Sequence, residues 1–134
     1  MKQKKSILFY GLILLLGLSV MGCSQTDELL VKTYVDAGQE EAESLAKSSG
    51  LDQMFEIQLL ARGSAVVYSY RYRNEQDQQD SGFSADDWDR ALESQAPTYQ
   101  SIVAGLKTSG IQKPSVIVEI IDAQGNIITS KEYK

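Results

Sequence analysis

The chain has no histidine, one cysteine and two prolines in 134 residues. Without histidine it cannot use an imidazole as a general base, build a Ser–His or Cys–His nucleophile, or bind a metal through the commonest metal-ligating side chain. A single cysteine excludes an internal disulfide framework and a zinc site built from cysteines. We therefore expect no catalytic residues, no metal site and no cofactor.

Basic residues are also few. The chain has 13 Lys and Arg against 18 Asp and Glu, a net charge of −5 and a pI of about 4.7. Nucleic-acid binding needs a basic face that neutralises phosphates, so we expect no nucleic-acid partner. The length fits one folded domain.

The first residues have the pattern of a targeting segment. Three lysines among the first five residues precede an apolar stretch from Ile7 to Val20. The stretch is shorter than the roughly 20 residues that a transmembrane helix needs. It ends in Val20-Met21-Gly22-Cys23, which places a small residue before a possible cleavage site. A basic start, a short apolar stretch and a small residue before the cut predict a secretory signal peptide over residues 1–22.

The Gly22-Cys23 pair resembles a bacterial lipobox, in which the thiol is diacylated and the signal is cut just before the cysteine. The resemblance implies a diacylglyceryl lipid on Cys23 and a position on the outer face of the bacterial plasma membrane. Residues 23–28 would form a short lipidated tether, and residues 29–134 a single domain. The alternative is an uncleaved membrane anchor in which Cys23 is incidental.

Two pairs of alternating segments predict two β-hairpins. Apolar and polar residues alternate in Met54–Ala61 and again in Val66–Arg73, with a turn at Gly63 between them. The second pair is Ser115–Asp122 and Ile127–Tyr133.

The clearest helix begins at Ser84. Asp87, three residues on, completes the pattern of a capping box, and Phe83 and Trp88 occupy the positions of a hydrophobic staple. Apolar residues then recur at helical spacing, so we expect Trp88 to be buried. Pro97 should kink or split this helix.

The remaining segments are less distinct. Asp36–Gly50 predicts a short helix, Leu29–Val35 fits either a strand or a first helical turn, and Asn74–Gly82 has no apolar residue and predicts a loop. The predicted fold is α+β, a four-stranded antiparallel sheet from two hairpins with helices packed on one face, in the order α-ββ-α-ββ.

Three segments resemble small lipoproteins of Gram-positive bacteria whose function is unknown. These are the Tyr-rich strand Val67–Tyr72, the helical stretch Ala91–Ala96 and the turn Asp122–Gly125. The resemblance covers roughly Met54–Tyr133 and implies a location and a fold. It implies no activity.

Two groups of residues are candidates for binding. Tyr68, Tyr70 and Tyr72 share one strand face and could form a ligand surface or the core beneath a helix. Six acidic residues between Asn74 and Asp89 could form a loose calcium site, but their spacing fits no EF-hand, and a solvated loop is favoured.

The sequence favours a non-enzymatic module that binds an unknown envelope protein or peptide. Two alternatives stay open: a small cell-envelope hydrolase that uses paired carboxylates, and an inhibitory or structural partner of an envelope enzyme. Glu119, between Val118 and Ile120, is the one carboxylate with apolar neighbours on both sides, and strand alternation predicts that it faces water.

Overall fold

The computed structural model describes residues 26–134. Its first helix, α1, spans Asp27–Ser49, and the side chain of Thr26 caps it by accepting a hydrogen bond from the backbone N–H of Leu29. Asp27 and Glu28 form its acidic first turn, so the expected tether is wrong in its last two residues. The signal peptide, Cys23 and the rest of the tether lie outside the described residues.

One long helix replaces the ambiguous segment and the short helix expected after it. Its buried residues recur at helical spacing, which settles Leu29–Val35 as helix. The helix ends at Gly50, whose φ of 82° is a left-handed conformation that favours glycine. Its buried residues are Leu30, Val31, Tyr34, Val35, Gly38, Ala42 and Ala46.

Both predicted hairpins are present. After a single 3-10 turn at Leu51–Gln53, strands β1 (Phe55–Arg62) and β2 (Ala65–Tyr72) pair antiparallel. Strands β3 (Ser115–Ile121) and β4 (Ile127–Tyr133) form the second hairpin.

The sheet is mixed, so the expected all-antiparallel sheet is wrong. The strand order is β1-β2-β3-β4, and the central strands β2 and β3 are parallel, with Ala65 opposite Ser115 and Arg71 opposite Ile121. A parallel pair requires a crossover connection, and the helix-rich segment 73–114 supplies it. This segment returns the chain to the end of the sheet at which β2 begins.

The crossover begins with a helix that the sequence did not predict. Helix α2 spans Glu75–Ser81, where we expected a loop. The Asn74 side chain caps it by accepting from the backbone N–H of Asp77 at 2.8 Å. At its other end the buried hydroxyls of Ser81 and Tyr72 lie 2.9 Å apart in a hydrogen bond. Because these are polar contacts, apolar periodicity could not reveal the helix.

Two further helices complete the crossover. Helix α3 spans Ala85–Ser94, and α4 spans Ala96–Thr108. The capping box of Ser84 and Asp87 is confirmed, and the rings of Phe83 and Trp88 lie 4.6 Å apart, as a staple requires. Pro97 is the second residue of α4, so the expected split is confirmed. The element order is therefore α-ββ-ααα-ββ.

The core lies between the helices and one face of the sheet. Trp88 is buried within it, as predicted. The central strand β2 is buried at every position except Arg71. The core includes these sheet residues: Phe55, Ile57, Leu59, Val66, Tyr68, Tyr70, Tyr72, Val116, Val118, Ile120 and Tyr133.

Candidate functional site

The three tyrosines of β2 belong to the core. Tyr68, Tyr70 and Tyr72 are each at most 2% exposed, so they do not form a ligand surface. The ring of Phe55 lies 4.4 Å from that of Tyr72, and the ring of Tyr99 lies 5.9 Å from that of Tyr68. These contacts are aromatic packing beneath the helices, so of the two interpretations of the tyrosine pattern, the core is correct.

The hydroxyls of these tyrosines stay protonated at neutral pH. Burial raises the pKa of Tyr68, Tyr70 and Tyr99 well above the usual value for a phenol, because an ionised phenolate loses its hydration there. The hydroxyls of Tyr34 and Tyr68 lie 3.5 Å apart. Those of Tyr70 and Tyr99 interact with each other, but neither makes a hydrogen bond of normal geometry to the residues that the structure describes.

Glu119 lies on the opposite face of the sheet, and the prediction that it faces water is wrong. Its side chain is only 8% exposed. Arg62 donates to both of its carboxylate oxygens, at 3.1 and 3.4 Å. Strand alternation placed Glu119 on the correct face, but the long Arg62 side chain covers it.

The acidic segment between Asn74 and Asp89 is folded into helix termini. Asp77 accepts a hydrogen bond from the Asn74 side chain, and Asp87 accepts from the backbone N–H of Ser84 and from Arg90. Within residues 26–134, no three acidic or cysteine side chains are grouped so that they could hold a metal ion.

An open cleft of about 430 Å³ lies at the end of the sheet where β2 and β3 begin. Three lysines border it, two of them six residues apart and the third 21 residues further along the chain. The sequence did not predict this cleft, because its parts meet only when the loop after α4, the β3–β4 hairpin and the parallel pairing of β2 with β3 are all in place. Its lining residues are Ser64, Val103, Lys107, Gln112, Lys113, Pro114, Ser115, Glu132 and Lys134.

Each lysine is carried by a different element of the fold. Lys107 lies in the last turn of α4, Lys113 in the loop before β3, and Lys134 directly after β4. The loop is held at the start of α1, because the Asp27 carboxylate accepts from the backbone N–H groups of Gln112 at 2.9 Å and Lys113 at 3.1 Å. These bonds fix one wall of the cleft.

The cleft is electropositive in a domain that is otherwise acidic. All three lysines are exposed, and none forms an ion pair with another residue of the range 26–134. Glu132 is the one lining residue with a carboxylate side chain. Val103 and Pro114 add apolar surface, so the cleft can combine charge attraction for an anion with apolar contact.

In the part of the chain that the structure describes, no helix is long and apolar enough to span a lipid bilayer.

Comparison with known proteins gives one structural neighbour and one family. The type II secretion system pilotin AspS from Vibrio cholerae is similar, with a TM-score of 0.49 and 16% sequence identity over 81% of this chain and 88% of that one. No curated protein matches the chain. Residues 30–133 match the family described as a domain of unknown function, DUF4854, and the chain therefore belongs to that family.

Proposed function

We propose that this protein is a lipid-anchored, non-enzymatic binding module on the outer face of the bacterial plasma membrane, and that its lysine cleft binds an anionic ligand. The cleft is the observation that carries the proposal. It brings Lys107, Lys113 and Lys134 around one open concavity, and none of them has an acidic partner among the described residues. Unpaired cations at a concave, partly apolar surface favour an anionic ligand.

The composition of the cleft favours binding over hydrolysis. A hydrolase that uses paired carboxylates needs two of them converging on the scissile bond. Glu132 is the one such side chain in the lining, and three lysines surround the same space. The buried Glu119 is held by Arg62 on the face of the sheet opposite the helices and does not line the cleft.

The membrane position rests on the sequence of the first 23 residues. The basic start, the apolar stretch and the Gly22-Cys23 pair together fit a lipobox. Two acyl chains on one residue supply the two hydrophobic signals that stable membrane attachment requires.

Binding can be tested with the full chain in neutral detergent micelles and a fluorescent polyglutamate peptide as the anionic probe. Lys107→Gln combined with Lys113→Gln should weaken binding about tenfold, since each exposed ion pair contributes up to about 1 kcal/mol. The control, Lys47→Gln with Arg90→Gln, removes the same charge elsewhere and should leave binding almost unchanged. Equal weakening by both variants would refute a role for the cleft.

Anchoring can be tested by membrane fractionation of cells that express the full chain. Cys23→Ser removes the thiol that would be acylated, and it should prevent lipid attachment and release or mislocalise the protein. Ser48→Ala is a control that leaves the lipobox intact. A Cys23→Ser chain that is still cut after Gly22 and still retained in the membrane would contradict the lipid anchor.

A further inference from the structure

We propose that the anionic ligand of the lysine cleft is the membrane itself, and that Lys107, Lys113 and Lys134 bind the phosphate headgroups of anionic lipids. This inference rests on the proposed lipid anchor at Cys23. It assigns the domain an orientation, with the end of the sheet that carries the cleft against the bilayer and the β3–β4 turn pointing away from it.

Charge is distributed unevenly over the domain. Three of the 13 basic residues fall within the first five positions, so ten lie in the described residues together with all 18 acids. Three of those ten border one cleft. A domain that repels an anionic surface as a whole therefore presents one end that such a surface attracts.

The same end lies next to the anchor. Three residues separate Cys23 from Asp27, and the Asp27 side chain binds the backbone of Gln112 and Lys113 directly. A fully extended chain from Cys23 to Asp27 spans at most about 14 Å. With Cys23 held at the membrane surface, Lys113 cannot move far from the headgroups, and Lys107 and Lys134 border the same cleft.

Screening decides which charges act at the membrane. The Debye length is about 8 Å at physiological ionic strength, so acids at the far end of the sheet have little effect on the contact. Each lysine close to an anionic leaflet strengthens the association about fivefold. Three lysines alone would favour the docked orientation by about a hundredfold, and repulsion of the nearby acids lowers this preference.

Two exposed acids near the cleft oppose this attraction. Glu28 lies in the first turn of α1, and Glu132 lines the cleft. Asp27 is nearby as well and keeps its negative charge, which two backbone N–H groups and the positive end of the α1 dipole offset only in part. The three lysines outnumber the two exposed acids, but the attraction is weaker than three lysines alone would give.

The test uses the full, lipid-modified chain in vesicles, either of phosphatidylcholine or of equal parts phosphatidylcholine and phosphatidylglycerol, with a quencher on the lipid headgroups. Gln112→Cys places a fluorescent maleimide at the cleft, and Gln124→Cys places it in the β3–β4 turn. We expect quenching at Gln112 to be stronger in the phosphatidylglycerol vesicles than in pure phosphatidylcholine, where only the tether holds this residue near the headgroups, and weak quenching at Gln124 in both.

The lysines are tested in the same vesicles. In the Gln112→Cys background, Lys107→Gln with Lys113→Gln should lower the ratio of docked to undocked protein about 25-fold. Lys47→Gln with Arg90→Gln makes the same charge change away from the cleft and should alter the ratio less than about twofold.

The outcomes separate this inference from the proposed anchor. A wild-type chain that takes up maleimide has a free Cys23 thiol, which would refute the anchor and the orientation together. If the wild-type chain stays unlabelled and the labelled Gln112→Cys variant is quenched equally in both vesicles, membrane docking alone is refuted. Polyglutamate that binds the cleft as tightly on phosphatidylglycerol vesicles as on phosphatidylcholine vesicles would show that lipid headgroups do not occupy the cleft, and would also overturn the inference.

Discussion

Arg62 and Glu119 form an ion pair that crosses the central strand β2. Arg62 lies opposite Ala65, Glu119 lies opposite Ser69, and Val67 sits between these two positions on β2. The Arg62 side chain must therefore pass over Val67 to reach the carboxylate. Arg62 is 55% exposed and Glu119 only 8%, so the arginine acts as a cover for a buried acid.

Loss of Arg62 should destabilise the domain more than loss of an ordinary surface arginine. Arg62→Ala leaves the Glu119 carboxylate buried without its partner. We expect the free energy of unfolding to fall by about 1–2 kcal/mol, less than for a fully buried pair, because solvent screens the exposed Arg62. Arg90→Ala removes an exposed pair with Asp87 and should cost less than about 0.5 kcal/mol. Urea unfolding of the full chain in micelles measures both, and equal losses would contradict the covering role of Arg62.

Trp88 should be a major determinant of stability. It is 1% exposed and lies 6.0 Å from the ring of Phe55 and 4.6 Å from that of Phe83. Trp88→Ala should cost about 3–5 kcal/mol, the usual range for removing a buried aromatic side chain. Trp88→Phe retains part of the packing and should cost less. An unfolding midpoint that barely moves in Trp88→Ala would show that packing of Trp88 against these rings contributes little to stability.

Local patterns in the sequence predicted the features that depend on neighbouring residues. The Ser84 capping box, the Phe83–Trp88 staple and the turn at Gly63 each need only a few adjacent side chains, and all are present. Strand alternation placed the three tyrosines of β2 on one face, but it did not decide between a ligand surface and the core, where the structure has them. These features are found in the structure because the tertiary fold favours the same local conformations as the neighbouring residues do.

Features that depend on distant segments were not predicted. The parallel pairing of β2 and β3 is set by the path of the helices between them, which periodicity does not report. Helix α2 is capped by Asn74 and fixed by the Tyr72–Ser81 hydrogen bond, without an apolar face of its own. The lysine cleft adds Lys134 to Lys107 and Lys113 only after β3 and β4 have paired and the end of α4 has packed beside them.

Two buried tyrosine hydroxyls should respond differently to removal. The Tyr133 hydroxyl donates to the backbone carbonyl of Leu92 at 2.5 Å, so Tyr133→Phe strands a buried acceptor and should cost about 1 kcal/mol. The Tyr70 hydroxyl has only a poorly formed contact with that of Tyr99 among the described residues, so Tyr70→Phe should be neutral or stabilising. Thermal unfolding of both variants checks this contrast. A larger loss in Tyr70→Phe than in Tyr133→Phe would contradict it.

Stability should fall at alkaline pH because folding raises the pKa of five tyrosines. Burial is the main cause for Tyr68, Tyr70, Tyr72, Tyr99 and Tyr133. Above the ordinary phenol pKa, the folded state therefore holds more protons than the unfolded state. The contribution to stability is complete below that value and is lost as the pH rises through the folded-state pKa values.

Tyr133 allows this loss to be measured at a single residue. Burial, and then the nearby charge of Glu93, raise its pKa from 10.0 to about 12, so its share should disappear between those two pH values. Lysines also lose their protons in this range, and comparison with Tyr133→Phe isolates the tyrosine because the lysines are unchanged. We expect the urea midpoint of the wild type to fall more steeply with pH than that of Tyr133→Phe. Parallel curves for the two proteins would show that Tyr133 titrates with the same pKa in the folded and unfolded chains.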